Sequence, residues 1–253
     1  MIGNQSSALL KRIIRRTGLE VSRADRSLLC FHSPNYLRHN ARRLEHLASL
    51  MLPVGGKSVL EVGAGIGDHT NYFLDRECQV TITEAREENL RHLRARFPES
   101  DVRHLDMEAP SLDGQPFEIV YCYGLLYHLS DPDRAINFLA EKCSGMLLLE
   151  TCISFGDTAE VRPMEESRRD PTQAFSGAGC RPTRRWLFDK LSSLFPYVYV
   201  PTTQPNHEEF PLDWTSPESN SNGPNRAVFV ASRHPIVSDV LSTTLMDRQT
   251  RHP

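Results

Sequence analysis

Three glycines at alternate positions, Gly63, Gly65 and Gly67, follow a short apolar run, Val59 to Val62, that carries one acid, Glu61. Without a Cβ, a turn can adopt positive φ and a ligand can lie directly against the backbone. The free N–H groups of a following helix make that end mildly electropositive. The chemistry expected is binding of a nucleotide-type ligand. Glu84 stands 21 residues after Gly63 and ends the alternating run Val80-Thr81-Ile82-Thr83. That is close to the ~20-residue separation that puts a carboxylate on ribose hydroxyls. A carboxylate can accept from both hydroxyls at once, while the alternative is an ordinary solvated acid at a strand end.

Two histidines are candidates for taking a proton from an attacking group, a common catalytic use of imidazole. His128 follows the apolar run Phe117–Tyr123; otherwise it packs, or caps the helix opening at Ser130-Asp131-Pro132. His207 is flanked by Glu208 and Glu209, residue types that hold divalent metals. Three adjacent residues do not readily all turn toward one ion, and further ligands would have to come from Glu150 or Asp157. No metal is assigned.

These groups need a scaffold, and the chain alternates apolar strands with amphipathic helices. Strands are expected at 58–63, 79–84, 101–105, 117–123 and 146–150, and helices at 67–76, 86–97 and 131–143. Such alternation implies a parallel sheet covered on both faces, with ligands at the carboxyl edge of the strands. Before it, Ser33-Pro34 opens a helix stopped by Pro53. The polar residues Tyr36, His39, Asn40 and Arg43 of that helix face either the site or water. After it come the loop 151–182, a helix at 183–195 and strands at 197–200 and 226–232, with the loop 201–225 between those strands. A structureless stretch as long as 151–182 points to function or disorder. Residues beyond Pro235 are expected to be a loosely held tail.

The glycine string Glu61-Val62-Gly63-Ala64-Gly65-Ile66-Gly67 departs from the dinucleotide G-x-G-x-x-G pattern. It resembles motif I of the class I S-adenosylmethionine (SAM)-dependent methyltransferases, and the later motifs ending at Glu84, Asp106 and Tyr123-Gly124 extend the resemblance from Ser58 to about Glu150. The resemblance implies a Rossmann-like, doubly wound α/β fold with a seven-stranded sheet whose last strand is antiparallel. It implies SAM as cofactor, held by Glu61, Gly63, Ala64, Gly65, Gly67, Glu84, Ala85, Asp106, Met107, Tyr123 and Gly124. Asp106 would meet the adenine amino group, and the loop at Gly124 would lie beneath the methionine moiety. The helix 33–53 would cover the cofactor. His128, or else His207, would be the base. Glu150, Phe175, Arg181, Asn206 and Trp214 would contact the acceptor.

Composition narrows the partners. The 253 residues are 39% hydrophobic with a net charge of −3, which suits one large domain and gives no global pull toward nucleic acid. The expected division is a basic lead-in at 1–32, a domain at 33–235 and a tail at 236–253. The basic stretch 9–16 allows weak membrane-surface contact. Leu9-Leu10 runs straight into Lys11-Arg12, so no secretory leader is expected. Six cysteines without C-x-x-C pairing fit a reduced, cytoplasmic setting. The expected reaction is methyl transfer to a hydroxyl of a sugar, glycan precursor or other small polar acceptor. Gly124–Thr151, with Gly-Leu-Leu-Tyr-His and Leu-Leu-Leu-Glu-Thr, also resembles the enzymes that transfer a carboxymethyl group to the tRNA wobble uridine. RNA modification is therefore the second enzyme reading, and a non-catalytic SAM-binding partner protein the third.

Overall fold

In a computed structural model of the chain, residues 28–168, 172–174, 176–216 and 224–253 are described. The basic segment 9–16, with most of the lead-in, and Phe175 lie outside them.

Helix α1 (Pro34–Ser49) starts as its sequence requires. Ser33 Oγ accepts the Tyr36 N–H at 3.4 Å, and Pro34 occupies the first turn, where no N–H is needed. The sheet then builds from β1 (Ser58–Val62), β2 (Gln79–Glu84), β3 (Asp101–His104), β4 (Phe117–Tyr123) and β5 (Cys143–Ile153). Between them run α2 (Thr70–Leu74), α3 (Glu87–Arg96) and α4 (Pro132–Glu141). A hairpin, β6 (Val161–Glu165) and β7 (Ala178–Pro182), precedes α5 (Arg184–Leu194), β8 (Tyr197–Pro201) and the short β9 (Thr203–Gln204). The chain ends with β10 (Asn225–Ser232), β11 (Leu241–Ser242) and β12 (Thr250–Arg251).

The main sheet has the order β11-β8-β10-β5-β4-β1-β2-β3. The pairs among β1 to β5 are parallel, and β10 is antiparallel to both β5 and β8. This is the expected doubly wound sheet, except that the two-residue β11 adds an eighth strand at the edge of β8.

Period-two alternation decides which side chains go to which face. Leu60, Val62, Val120, Cys122, Leu147 and Leu149 pack with Ile136 and Leu139 of α4 and Leu187 and Leu191 of α5. Val59, Ile119, Tyr121, Tyr123 and Leu148 pack on the other face with Leu47 of α1 and Phe73 of α2. Glu61 lies between Val59 and Gly63, so it shares the α1 face with the two tyrosines. Among the described residues no helix is long and apolar enough to cross a membrane.

Two expectations are corrected here. The stretch 151–182 is not structureless: β5 runs on to Ile153, and β6 pairs with β7 from Val161↔Pro182 to Glu165↔Ala178. Residues beyond Pro235 are not loosely held. Gln249, 7% exposed, takes the Gln204 amide at 3.0 Å and the Trp214 indole N–H at 2.7 Å, and donates to the Pro201 carbonyl at 2.5 Å. Arg251 Nη1 donates to the carbonyls of Pro205, His207 and Phe210. Truncation after Ile236 should therefore lower Tm by more than about 5 °C in a thermal melt, because ~1 kcal/mol corresponds to roughly 2–4 °C in a chain of this size. An unchanged Tm would restore the loosely held tail.

Candidate functional site

At the carboxyl ends of β1, β2, β4 and β5 lies a cleft of about 360 Å³, covered by α1 and by the β6–β7 hairpin. This is the edge where open α/β sheets bind ligands, and the volume falls within the usual range for a small-molecule site. Every residue assigned to the cofactor lines it except Gly67. Gly67 serves packing instead. Its φ is +81°, and a Cβ there would stand 2.4 Å from the Phe97 ring and 2.9 Å from Leu93, the residues with which α3 closes on the turn.

Gly65, at φ +60°, faces the cleft, and its N–H donates to Glu84 Oε2 at 2.9 Å. The other Glu84 oxygen accepts the Ala85 and Arg86 N–H groups at 3.0 and 2.9 Å. Glu84 thus ties the glycine turn to the end of β2. Burial pushes its pKa up, and the three N–H groups oppose that. Oε2, with one N–H, keeps a lone pair for an incoming hydroxyl; a two-oxygen grip on a diol has to displace one of the N–H groups on Oε1.

Glu61 is 2% exposed and takes the Thr70 hydroxyl at 2.6 Å. Burial raises its pKa to about 7, with Thr70 opposing. Beside it, His69 and Tyr121 share a 2.7 Å hydrogen bond, and burial holds His69 down to about 3, so it stays neutral.

The inner face of α1 settles the orientation that its sequence leaves open. Tyr36, His39, Asn40 and Arg43 all line the cleft, and the last three are buried. Arg43 Nη2 donates to Glu150 Oε2 at 2.5 Å, and Arg226 of β10 donates to Glu150 Oε1 at 3.1 Å. Arg226 continues to Glu209 at 2.6 Å and to the Tyr127 hydroxyl at 3.1 Å.

His128 follows β4 in a short 3-10 turn (Leu126–His128) and lines the cleft with its side chain 13% exposed. Its Nδ1 is hydrogen-bonded to Glu166, the residue just after the hairpin strand β6. Glu166 also accepts the Ala174 N–H at 2.7 Å and lies 3.4 Å from Arg181. Burial acts to raise the Glu166 pKa, but His128, the Ala174 N–H and Arg181 together hold it below the usual carboxylate range. Burial lowers the His128 pKa against the pull of Glu166. The result is a neutral imidazole whose Nδ1–H is fixed on an ionised carboxylate, leaving Nε2 as the lone-pair nitrogen. Such a group accepts a proton.

The acceptor assignments separate. Arg181 lines the cleft. Glu150 is wholly buried and holds two arginines rather than facing the space itself. Asn206 is exposed. Trp214 lies outside the cleft wall, packed on Phe155 with the Arg184 guanidinium 4.1 Å above its ring. His207 is 2% exposed and does not line the cleft, while its neighbours His39 and Glu209 do. Glu166, Tyr127, His69 and Arg226 were missed by sequence reasoning. The Gly-Leu-Leu-Tyr-His run was the available signal for Tyr127; nothing local marked the others. Glu150→Ala would leave the buried Arg43 guanidinium without its carboxylate and Arg226 with Glu209 alone. It should cost about 3–5 kcal/mol in denaturant unfolding, far more than the half-exposed Lys57–Glu118 pair at the surface.

A model of the methyltransferase-domain family matches residues 59–143. An uncharacterised protein of Synechococcus sp. is 30% identical over 125 residues, 45% of this chain; the chain covers 30% of that relative's length. Among solved structures, the N-terminal domain of EvdMO1, crystallised in the presence of S-adenosylhomocysteine (SAH) and D-fucose, superposes with a TM-score of 0.57 at 23% identity, over 79% of this chain and 84% of that one. A SAM-dependent methyltransferase from Mesorhizobium loti gives 0.55 at 17% identity, over 78% and 100%. The glycopeptide N-methyltransferase MtfA complexed with SAH gives 0.50 at 19%, over 77% and 89%. The chain therefore has the fold of the class I methyltransferases, and its stretch 59–143 matches their methyltransferase-domain family.

Proposed function

We propose that this protein is a SAM-dependent methyltransferase acting on a hydroxyl of a small polar acceptor. The observation that carries the reading is the pairing, in one cleft, of a glycine cradle braced by Glu84 with the neutral His128–Glu166 dyad. The cradle fits the cofactor: Gly65 presents bare backbone, and Glu84 Oε2 keeps a lone pair for a ribose hydroxyl. Asp106 turns one carboxylate oxygen to the Glu108 N–H, leaving the other for an amino group. Glu61 suits the ammonium of the methionine end.

SAM supplies an electrophilic sulfonium methyl group when bound. The residues of this chain bind, orient and deprotonate. His128 Nε2 takes the acceptor hydroxyl proton, and Glu166 stabilises the imidazolium formed. The cleft wall near them, with Tyr127, Gln173, Arg181 and Arg226, is rich in groups that hydrogen-bond hydroxyls. The EvdMO1 domain, crystallised in the presence of SAH and D-fucose, supports a sugar-like acceptor.

Two outcomes follow from these roles. SAH affinity should rise about tenfold between pH 6 and pH 8 in calorimetry, as Glu61 ionises through its pKa of about 7 to meet the ligand ammonium. Glu61→Gln should flatten that profile, and a wild-type profile that is already flat excludes the Glu61 contact.

With SAM and a panel of sugars, His128→Ala should cut kcat by roughly 10²–10⁴ with SAM affinity little changed. Glu166→Gln should lower kcat less and shift the acid limb of kcat to lower pH, because burial then acts on His128 unopposed. Full turnover by His128→Ala would remove the base assignment.

A further inference from the structure

His39, on α1, and His207 and Glu209, in the segment between β9 and β10, converge from two parts of the chain beside the cleft. The histidines are 5% and 2% exposed, and their rings stack with centroids 4.7 Å apart. The Nε2 atoms of both are buried without a hydrogen-bond partner. A buried polar nitrogen lacking a partner keeps the whole desolvation cost of its burial, so two side by side call for a ligand. His39 Nε2 lies 3.7 Å from Glu209 Oε2, and one donor atom from each of the three residues lies within 4.8 Å of the others. Donors around one tetrahedral ion at ~2.1 Å stand about 3.4 Å apart, so small side-chain rotations complete the site.

We propose that His39, His207 and Glu209 bind a first-row divalent transition-metal ion at the wall of the cleft. Two imidazoles and one carboxylate favour zinc, cobalt, nickel or iron over magnesium or calcium. Burial, reinforced by Arg43 and Arg226, keeps His39 unprotonated, and burial does the same for His207, as ligation requires. Glu209 already accepts from Arg226 Nε at 2.6 Å, and a carboxylate has lone pairs for both the guanidinium and an ion. Two features oppose: the Arg43 and Arg226 charges that keep a proton off His39 also disfavour a cation, and one hydrogen bond is at stake. The Glu209 N–H lies 3.3 Å from His207 Nδ1, and ligation through Nε2 moves the ring proton to Nδ1 and forfeits that long hydrogen bond.

The site differs from the one that sequence proximity would suggest. Glu150 is committed to Arg43 and Arg226, and Asp157 is exposed. Glu208 pairs with Arg38 at the surface through one oxygen, and its other oxygen lies 3.8 Å from His207 Nε2. Three protein ligands leave a position open. His39 and Glu209 both line the cleft, so a water or an acceptor oxygen filling that position lies at its wall.

The test uses the full chain, stripped with a chelator and titrated by calorimetry with Zn²⁺ and separately with Mg²⁺. One equivalent of Zn²⁺ should bind, and Mg²⁺ should not compete. Co²⁺ should give visible d–d bands in the wild-type chain, a readout that needs no variant. His39→Ala and His207→Ala should each weaken Zn²⁺ by more than about 100-fold, beyond the 10–100-fold effect of outer-shell partners. Glu209→Gln should weaken it in the same direction and by more than Glu208→Gln, whose carboxylate pairs with Arg38 and stands 3.8 Å from His207 Nε2. Absence of stoichiometric Zn²⁺ uptake by the wild type, or uptake unaltered in all three cluster variants, overturns the site. Because the readout is metal binding alone, it is independent of whether SAM is the cofactor.

Discussion

Glu150 is buried completely between two guanidinium groups, and the rest of the cleft depends on that arrangement. It belongs to β5, Arg43 to α1 and Arg226 to the antiparallel β10, so one carboxylate joins three elements distant in sequence. Isolated charges at such depth would be prohibitively costly, and even a well-matched ion pair can cost more in desolvation than it gains. Its value here is positional. The network turns the polar face of α1 inward and fixes Arg226 against Glu209 and Tyr127, which sets the inner wall of the cleft.

The two functional ends of the cleft then work by opposite electrostatic means. Around Glu84, backbone N–H groups stabilise a buried carboxylate and brace the glycine turn. Around His128, burial keeps the imidazole neutral while Glu166 orients it, leaving a nitrogen with a free lone pair. A methyl transfer needs little covalent help from protein; it needs alignment and a place for one proton. On the function proposed above, the cleft would provide the proton's place and the cradle an anchor at the other end.

Much of this was legible in the chain because it is encoded locally. The run from Val59 through Gly67 reads as strand, turn and helix start within a dozen residues, and the acid at Glu84 closes the next strand. The layers of the sheet follow from period-two alternation. What was not legible depends on long-range pairing. Glu166 reaches His128 only because β6 and β7 form a hairpin, and no local pattern in 151–182 marks it. The polar stripe of α1 looks the same whether it faces water or a cleft, and only Glu150 and Arg226 decide. Trp214 carried the compositional signal of a stacking residue, yet Gln249 from the end of the chain takes its indole N–H and holds it outside the cleft wall. Gly67 fits the cofactor string but is glycine because Phe97 and Leu93 leave no room for a Cβ.

The central claim is that the glycine cradle and Glu84 hold SAM rather than a dinucleotide. Calorimetry of the purified chain with SAH, and separately with NAD and NADP, tests it most directly when paired with Glu84→Ala. The account predicts one SAH site in the wild type and no heat with either dinucleotide. It also predicts an affinity loss of ~1.5–3 kcal/mol in Glu84→Ala, the worth of hydrogen bonds to a charged group. Binding of NAD without SAH, or SAH binding unchanged in Glu84→Ala, would contradict it.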